Sequence, residues 1–265
     1  GVAVLDAAGR IDVRKRDGKL AQLETLVRSA PPHGRLGVGH TRWATHGAPT
    51  TPNAHPHLDA EGHVAVVHNG IIENYAELRA ELAARGHVFA SETDTEVIAH
   101  LIADGLDQGR AAGTGTFPGA DETDPGARAD VAGETASRGP AAAEDPFVTA
   151  VRCALARLEG SFAVAAFSDA RPDLLVAARR FSPLVVGLGD GQSYLASDIP
   201  ALLAQTRRVV PLEDDEVAVL RPEGVRITNL AGLPVERPVI DVTWDAAAAE
   251  KGGYEHYVRK EIDEQ

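Results

Sequence analysis

The order of patterns along the chain predicts an α+β fold. Helical periodicity, with apolar residues three or four positions apart, falls mainly in the first part of the sequence. Between residues 162 and 227, short apolar runs follow one another closely, which indicates strands joined by short turns and therefore antiparallel sheets. Helices in one part and a meander of strands in the other favour layers of helices packed on antiparallel sheets.

The chain begins with two predicted strands and a helix. Residues 2–5 and 11–14 are strand-like runs separated by the turn-forming residues 6–9. The helix that follows is expected to end before the proline pair at 31–32. Its apolar face is expected to consist of Leu20, Leu23, Leu26 and Val27.

Two further predicted strands end in polar residues. The alternating residues 36–39 predict a strand that delivers residues 40–47 to an open end. Residues 64–67 predict a buried strand that ends at a turn formed by residues 68–70. An amphipathic helix is then expected up to Gly86, with an apolar face of Tyr75, Leu78 and Leu82.

A capping box is predicted at the head of the next helix. Thr93 and Glu96 have the required spacing, and this places Asp94 in the first helical turn. The helical face continues with Val97, Ile98, Leu101 and Ile102.

The stretch from 110 to 146 is predicted to be a disordered surface insertion. Apart from Phe117 and Val131 it has almost no large apolar side chains, so it cannot bury enough surface to offset its ordering entropy. Helical spacing returns with Val148, Val151, Leu155 and Leu158. We therefore expect one domain over residues 1–240 that contains this insertion, followed by a linker at 241–265.

Composition excludes several classes of function. With 44% hydrophobic residues the chain has ample material for a core, and a net charge of -13 argues against nucleic acid and anionic membrane surfaces as partners. No apolar run approaches a membrane span and no signal segment opens the sequence, so a cytoplasmic location is the default expectation. The single cysteine, Cys153, excludes an intrachain disulfide framework. The absence of methionine predicts that the chain is a fragment or a processed product.

Four polar blocks form the site hypothesis. They occupy residues 40–47, 53–57, 68–72 and 91–96, where the periodicity breaks. Their Arg, Trp, Thr, His, Asn and Asp residues are types that bind a small zwitterion.

These blocks, in this order and spacing, resemble the N-terminal class II glutamine amidotransferase domain of the glutamine-fructose-6-phosphate aminotransferases. The resemblance spans nearly all the chain except about 110–146. It continues through residues 182–189, 196–198, 206–208 and 254–262.

The resemblance implies a four-layer αββα sandwich of the N-terminal nucleophile hydrolase type. Such a domain hydrolyses glutamine to glutamate and ammonia, and the complete enzyme uses the ammonia to convert fructose 6-phosphate to glucosamine 6-phosphate. It implies no organic cofactor and no metal. It also implies that residues 241–265 lead to a sugar isomerase domain absent from this chain, and that the full-length protein is a homodimer.

The resemblance also implies a role for each candidate residue. Arg42 would clamp the substrate carboxylate through a bidentate fork, and Asp94 would take the ammonium group. Asn69 and Gly70 would form the oxyanion hole. The glutamine pocket would further be lined by Trp43, Thr45, His46 and His55.

Each of these residues also has a plain structural interpretation. Arg42 can be a surface ion pair, Asp94 a first-turn acid stabilised by the helix dipole, and Asn69 with Gly70 a simple turn. Trp43 taken alone is a core residue and each histidine a loop residue. Seven of the ten histidines fall between His33 and His68, but none of them forms the helical i, i+4 pair of a zinc protease, so metal binding is disfavoured.

The nucleophile is missing from the expected pattern. Family members use a cysteine that becomes residue one, with its own α-amino group as the base. This chain starts with Gly1, inside the family pattern, so the catalytic cysteine and the first strand are expected to be absent and the fragment inactive. Cys153 lies between Val151 and Leu155 on a predicted helix and is expected to be structural.

Three alternatives stay open at this point. The first is another class II amidotransferase, such as amidophosphoribosyltransferase, although residues 257–262 resemble the linker into a sugar isomerase domain. The second is a glutamine-binding domain without catalysis, and the third is a metal-binding module.

Overall fold

The computed structural model of this chain describes residues 1–42, 46–112 and 144–244. Its helices are α1 (Leu20–Ser29), α2 (Tyr75–Ala84), α3 (Thr95–Ala112) and α4 (Pro146–Ala156), and a 3-10 helix covers Ile199–Leu202. Its strands are β1 (Val2–Leu5), β2 (Ile11–Arg14), β3 (Leu36–Gly39), β4 (His57–Leu58), β5 (Val64–Ile72), β6 (Gly160–Ser168), β7 (Leu175–Arg180), β8 (Val185–Leu188), β9 (Ser193–Ala196), β10 (Arg208–Pro211), β11 (Glu216–Arg221), β12 (Gly224–Asn229) and β13 (Ile240–Asp241).

The described strands form three sheets whose strands pair antiparallel. The largest has the order β12-β11-β7-β6-β5-β4, and two smaller sheets have the orders β2-β1-β3 and β13-β10-β8-β9. At the centre of the large sheet, β5 and β6 pair over nine residues, from Val64 opposite Ser168 to Ile72 opposite Gly160. This long ladder is the scaffold on which the polar blocks are placed.

The two faces of the large sheet bury different partners. Because side chains alternate across a strand, Val64 and Val66 of β5 pack against α2, α3 and α4, whereas Ala65 faces the two smaller sheets. The helix-facing core contains large side chains such as Phe162 and Ile98. The sheet-facing core is rich in alanine: Ala65, Ala163, Ala165, Ala177 and Ala218.

A thin outer layer completes the sandwich. Helix α1 contacts β2. The 3-10 helix packs on the outer side of the four-stranded sheet, where Leu202, Val185, Val209 and Val242 form a small core. Helices, large sheet, small sheets and short helices are the layers of the α+β sandwich that the sequence predicts. Among the described residues, no helix is both long enough and apolar enough to cross a membrane.

The second sheet layer is divided by a gap. Strands β3 and β9 are edge strands of the two small sheets, and a cavity of about 1210 Å³ lies between them. Its floor is the alanine-rich face of the large sheet, with Ala163 and Ala165 among the lining residues. His40 and Asn69 also line this cavity, so it connects the gap to the polar blocks.

The prediction that β5 ends at His68 is wrong. The strand continues through Ile72, so Asn69 and Gly70 lie inside a ladder and do not form a turn. Gly70 makes this possible, because its φ of +128° is a conformation that side-chain-bearing residues rarely adopt, and a Cβ there would lie 2.1 Å from the Ser161 carbonyl oxygen. The local dipeptide was misleading because the pairing partner, β6, is remote in sequence.

The predicted capping box is also wrong. The carboxylate of Glu96 accepts hydrogen bonds from the backbone N–H groups of Ala90 and Ser91 and from the Ser91 hydroxyl. It therefore braces the loop before the helix, while the Thr93 hydroxyl contacts His57 Nε2 at 3.1 Å. Helix α3 begins at Thr95, so Asp94 precedes the first turn.

The insertion and the linker are described only at their edges. Residues 110–112 end α3 and residue 146 begins α4, so these edges are helical. The rest of the predicted insertion, 113–143, lies outside the described residues. Residues 240–241 pair with β10 and Val242 is buried, so the packed domain reaches at least that far. The remainder of the predicted linker, 245–265, also lies outside the described residues.

Candidate functional site

The ends of two strands bring His40 and Asn69 together. His40 directly follows β3, and its backbone continues the β1–β3 ladder through a 2.9 Å hydrogen bond to the Gly1 carbonyl. Its Nε2 lies 2.8 Å from Asn69 Oδ1 in β5. The Asn69 side chain is exposed at the cavity, so this hydrogen bond lies at the cavity wall.

Behind this pair lies a buried cluster of imidazoles. The ring of His55 lies 4.2 Å from that of His40 and 4.9 Å from that of His57, measured between centroids. The Thr95 hydroxyl contacts His55 Nε2 at 3.1 Å and His68 Nδ1 at 3.0 Å. A hydroxyl has one hydrogen, so it donates to at most one of these two nitrogens.

Burial keeps these histidines neutral. Loss of solvation lowers the pKa of His57 to about 3, and the nearby Lys15 adds to this effect. Burial also lowers the pKa of His55, and a charge on the neighbouring His40 would lower it further. The pKa values of His40 and His68 are lowered by burial as well, although Asn69 and Asp94 respectively oppose the shift. At neutral pH the cluster therefore supplies hydrogen-bonding groups without a net positive charge.

Asp94 supplies a buried carboxylate beside this cluster. Its Oδ2 accepts a 2.9 Å hydrogen bond from the Ile72 N–H at the end of β5 and lies 3.9 Å from His68 Nδ1. A carboxylate has about four acceptor positions, so Asp94 retains capacity for a further donor.

Arg42 binds its own loop. Its guanidinium donates to the backbone carbonyls of His46, Gly47 and Ala48, and the last two distances are 3.0 and 3.1 Å. The surface ion pair considered from sequence is therefore wrong for the part of the chain that is described. The guanidinium group of Arg42 instead holds the backbone of residues 46–48, which are called the bend below.

The remaining predicted pocket residues are partly placed. His46 meets the Tyr75 ring edge-on at 5.0 Å, which attaches the bend to the start of α2. Trp43 and Thr45 lie outside the described residues. The structure thus brings His40, His55, Asn69 and Asp94 into one connected region, with Arg42 and His46 in the adjoining bend.

Sequence reasoning assigned no role to three residues that hold this region together. These are His40, Thr95 and Asn53, which all lie within the polar blocks. The buried Asn53 amide donates to the Ala48 carbonyl at 3.0 Å and accepts from the Glu92 N–H at 2.9 Å. Their position gave a signal in the sequence, because a polar residue next to a candidate site residue, as Thr95 is next to Asp94, can belong to the same site. Within the described ranges, no three His, Cys, Asp or Glu residues are grouped so as to hold a metal ion.

Comparison with solved structures defines the class of fold. Glutamine phosphoribosylpyrophosphate amidotransferase from B. subtilis matches with a TM-score of 0.60 at 20% identity, covering 86% of this chain and 42% of that one. A glutamine aminotransferase class-II domain protein from Silicibacter pomeroyi matches with a TM-score of 0.53 at 17% identity, covering 89% and 92%. The fold is that of the class II glutamine amidotransferases, the N-terminal nucleophile hydrolase sandwich.

Sequence relatives give a narrower result. The glutamine amidotransferase domain family matches residues 29–118. Glutamine-fructose-6-phosphate aminotransferase [isomerizing] from Symbiobacterium thermophilum is 48% identical over 265 residues, which is 100% of this chain and 37% of that protein. The proteins of that name from Thermus thermophilus and Methanothermobacter thermautotrophicus are 47% and 42% identical over the whole chain. The resemblance inferred from the polar blocks is confirmed, and the chain spans little more than a third of these relatives' length.

Proposed function

We propose that this chain is the glutamine-hydrolysing part of a glutamine-fructose-6-phosphate aminotransferase. In the complete protein, glutamine would yield glutamate and ammonia, and the ammonia would convert fructose 6-phosphate to glucosamine 6-phosphate. The observation that carries the proposal is the course of β5: Asn69 lines the large cavity, Gly70 follows it, and the Ile72 N–H then binds the Asp94 carboxylate. Similarity over the whole of this chain to proteins of that name supports it.

The proposed roles follow from hydrogen-bonding capacity. The side-chain oxygen of Asn69 accepts the hydrogen bond from His40. The N–H donors of the Asn69 side chain are therefore proposed to stabilise an oxyanion together with the Gly70 N–H. Asp94 is the acceptor for the substrate ammonium. Arg42 is proposed to bind the substrate carboxylate once the bend opens. His46 and His55 are proposed to line the pocket together with Trp43 and Thr45.

The nucleophile is proposed to come from outside these 265 residues. The only cysteine in the sequence, Cys153, packs in α4 against the helix-facing core, and burial raises the pKa of its thiol. A thiol of that kind is a poor nucleophile. The gap between β3 and β9 has the open edges and apolar floor that an added strand requires, and its His40 end would place such a strand's terminus at Asn69.

Several further expectations stay proposals. These are a domain boundary near residue 240, a homodimer in the full-length protein and a cytoplasmic location. The alternative of an amidophosphoribosyltransferase shares only the fold at 20% identity, and no observation on the described residues favours it.

Glutamine binding and turnover test the proposal separately. The 265-residue chain is expected to bind glutamine in calorimetry without releasing glutamate, and a longer protein that carries its nucleophile is expected to release it. Asp94→Asn should weaken binding by about 10- to 100-fold, because an ionic hydrogen bond is lost. Asp107→Asn is the matched control, since Asp107 is an exposed acid on α3.

Two results would contradict this proposal. Turnover by the 265 residues alone would show that the nucleophile is misplaced. Binding without hydrolysis by the longer protein would identify a non-catalytic glutamine-binding domain.

Cys153→Ser is expected to change little. The side chain is half-buried at the edge of a core, so the loss in free energy of unfolding should be about 1 kcal/mol or less. Glutamate release by the longer protein should stay within about twofold of the unmodified value. A loss of several orders of magnitude in a folded variant would assign the chemistry to this thiol.

A further inference from the structure

We infer that His40 is a positioning residue that fixes the orientation of the Asn69 carboxamide, and this inference rests on the proposed glutamine hydrolysis. The atoms in contact determine which residue donates the hydrogen bond and which accepts it. His40 Nε2 lies 2.8 Å from Asn69 Oδ1, and an amide oxygen cannot donate, so the imidazole donates its Nε2 hydrogen. The Asn69 amide nitrogen is thereby turned away from His40.

This orientation decides what the cavity wall can do. A carboxamide has an acceptor and a donor of almost the same size, and rotation by half a turn exchanges them. Asn69 is exposed at the cavity, and among the described residues the hydrogen bond from His40 is the contact that distinguishes the two orientations. With the nitrogen facing the cavity, Asn69 stabilises a developing oxyanion, whereas the oxygen in that position would repel it.

His40 is well held for such a role. Its backbone N–H and carbonyl are both hydrogen-bonded to Gly1, at 2.9 Å each, which continues the ladder of β1 and β3. Its ring is tilted against the buried His55 ring at 4.2 Å. His55 is in turn anchored by the Thr95 hydroxyl on α3. The donor therefore rests on two different layers of the fold.

His40 is a positioning residue and is distinct from the catalytic groups. Its Nε2–H donates a hydrogen bond to Asn69 Oδ1. Both the neutral Nε2–H form and the protonated form of the imidazole can make this hydrogen bond. His40 therefore acts through Asn69 and does not need to titrate. Glutamine at the same position can supply a side-chain N–H, while methionine has a similar length and supplies none.

The test uses the longer protein with its own nucleophile and compares His40→Gln with His40→Met. His40→Met is expected to lower kcat for glutamine hydrolysis by about 10-fold or more, with KM changed less than about threefold, because only transition-state stabilisation is affected. His40→Gln should recover most of kcat and keep the shape of the pH profile. Thermal unfolding of both variants monitors folding.

A double-mutant cycle with Asn69→Ala completes the test. Asn69→Ala alone should lower kcat by about 10² to 10³-fold, and adding His40→Met should cause no further loss. A further loss in the double variant, or equal activity of the Gln and Met variants, would overturn the positioning role while leaving glutamine hydrolysis in place. No effect of Asn69→Ala, or no hydrolysis by the unmodified protein, would overturn the inference together with the proposed function.

Discussion

The free energy of unfolding is expected to fall by about 5 kcal/mol when the pH drops from roughly 6.5 to roughly 4.5, through His55 and His57 alone. Both are buried and have a lowered pKa, which for His57 is about 3. In this window the unfolded chain binds a proton at each histidine and the folded chain does not. Each one therefore costs about 1.4 kcal/mol of stability per pH unit as the pH falls.

The groups around His55 and His57 do not reverse the lowering of their pKa values. Burial is the main cause at His55, and the charged forms of its neighbours His40 and His68 would lower its pKa further. Glu96 opposes the shift at His57 but does not reverse it. The pKa of Glu96 is itself raised by burial and lowered more strongly by its hydrogen bonds, to about 2, so its own loss of stability occurs at lower pH.

Urea unfolding at several pH values measures the slope of the free energy of unfolding against pH. In His57→Gln, which removes one of the two groups, the loss between these pH values should be about half as large. His63→Gln is the control, because Asp169 raises the pKa of the exposed His63 and its effect on the slope has the opposite sign. A slope unaffected by His57→Gln would show that this histidine is protonated in the folded protein.

Gly70→Ala is expected to destabilise the domain by about 4 kcal/mol or more. The new Cβ would lie 2.1 Å from the Ser161 carbonyl oxygen and 3.0 Å from the Phe162 Cα, at a φ of +128° that alanine rarely adopts. Both neighbours are backbone atoms of β6, which is paired on both sides, so neither can move without breaking the central ladder. Chemical denaturation measures the loss.

The matched control is Gly86→Ala, just after α2. Gly86 has a φ of +96°, but within the described parts of the chain no atom lies within 4 Å of the position that the new methyl group would take. Backbone strain alone should therefore cost about 1 to 2 kcal/mol. Equal losses in the two variants would show that β6 yields easily at Ser161, contrary to the expectation for a central strand.

The sequence predicted elements whose pattern is local. The face of Val148, Val151 and Leu155 predicted α4, and residues 162–167 predicted β6, because burial on one side imposes a period that one segment displays by itself. The continuation of β5 through Gly70 was missed, since it depends on a partner strand far away in the chain. The short strands β4, β10 and β13 were missed for the same reason.

The sequence predicted which residues belong to the candidate site but not the contacts between them. Four polar blocks named Asn69, Asp94 and His55 as candidates. The contacts that organise them join residues 29 apart, for His40 and Asn69, and 40 apart, for His55 and Thr95. Such pairings follow from the packing of three layers and leave no period in the sequence. The hydrogen bonds of Arg42 to its own loop were likewise invisible, because they depend on the shape of a bend.

The packing of α3 against α4 has a consequence for how this chain can vary. The two helices are in contact, and Gly105 of α3 lies against Ala150 of α4, so the points where the chain leaves one helix and enters the other are fixed by the core. The entropy of closing a loop between fixed points grows only with the logarithm of its length, about 0.6 kcal/mol for each doubling. Because contacts between the two helices hold these points, a change in the number of residues between the end of α3 and the start of α4 need not disturb the core.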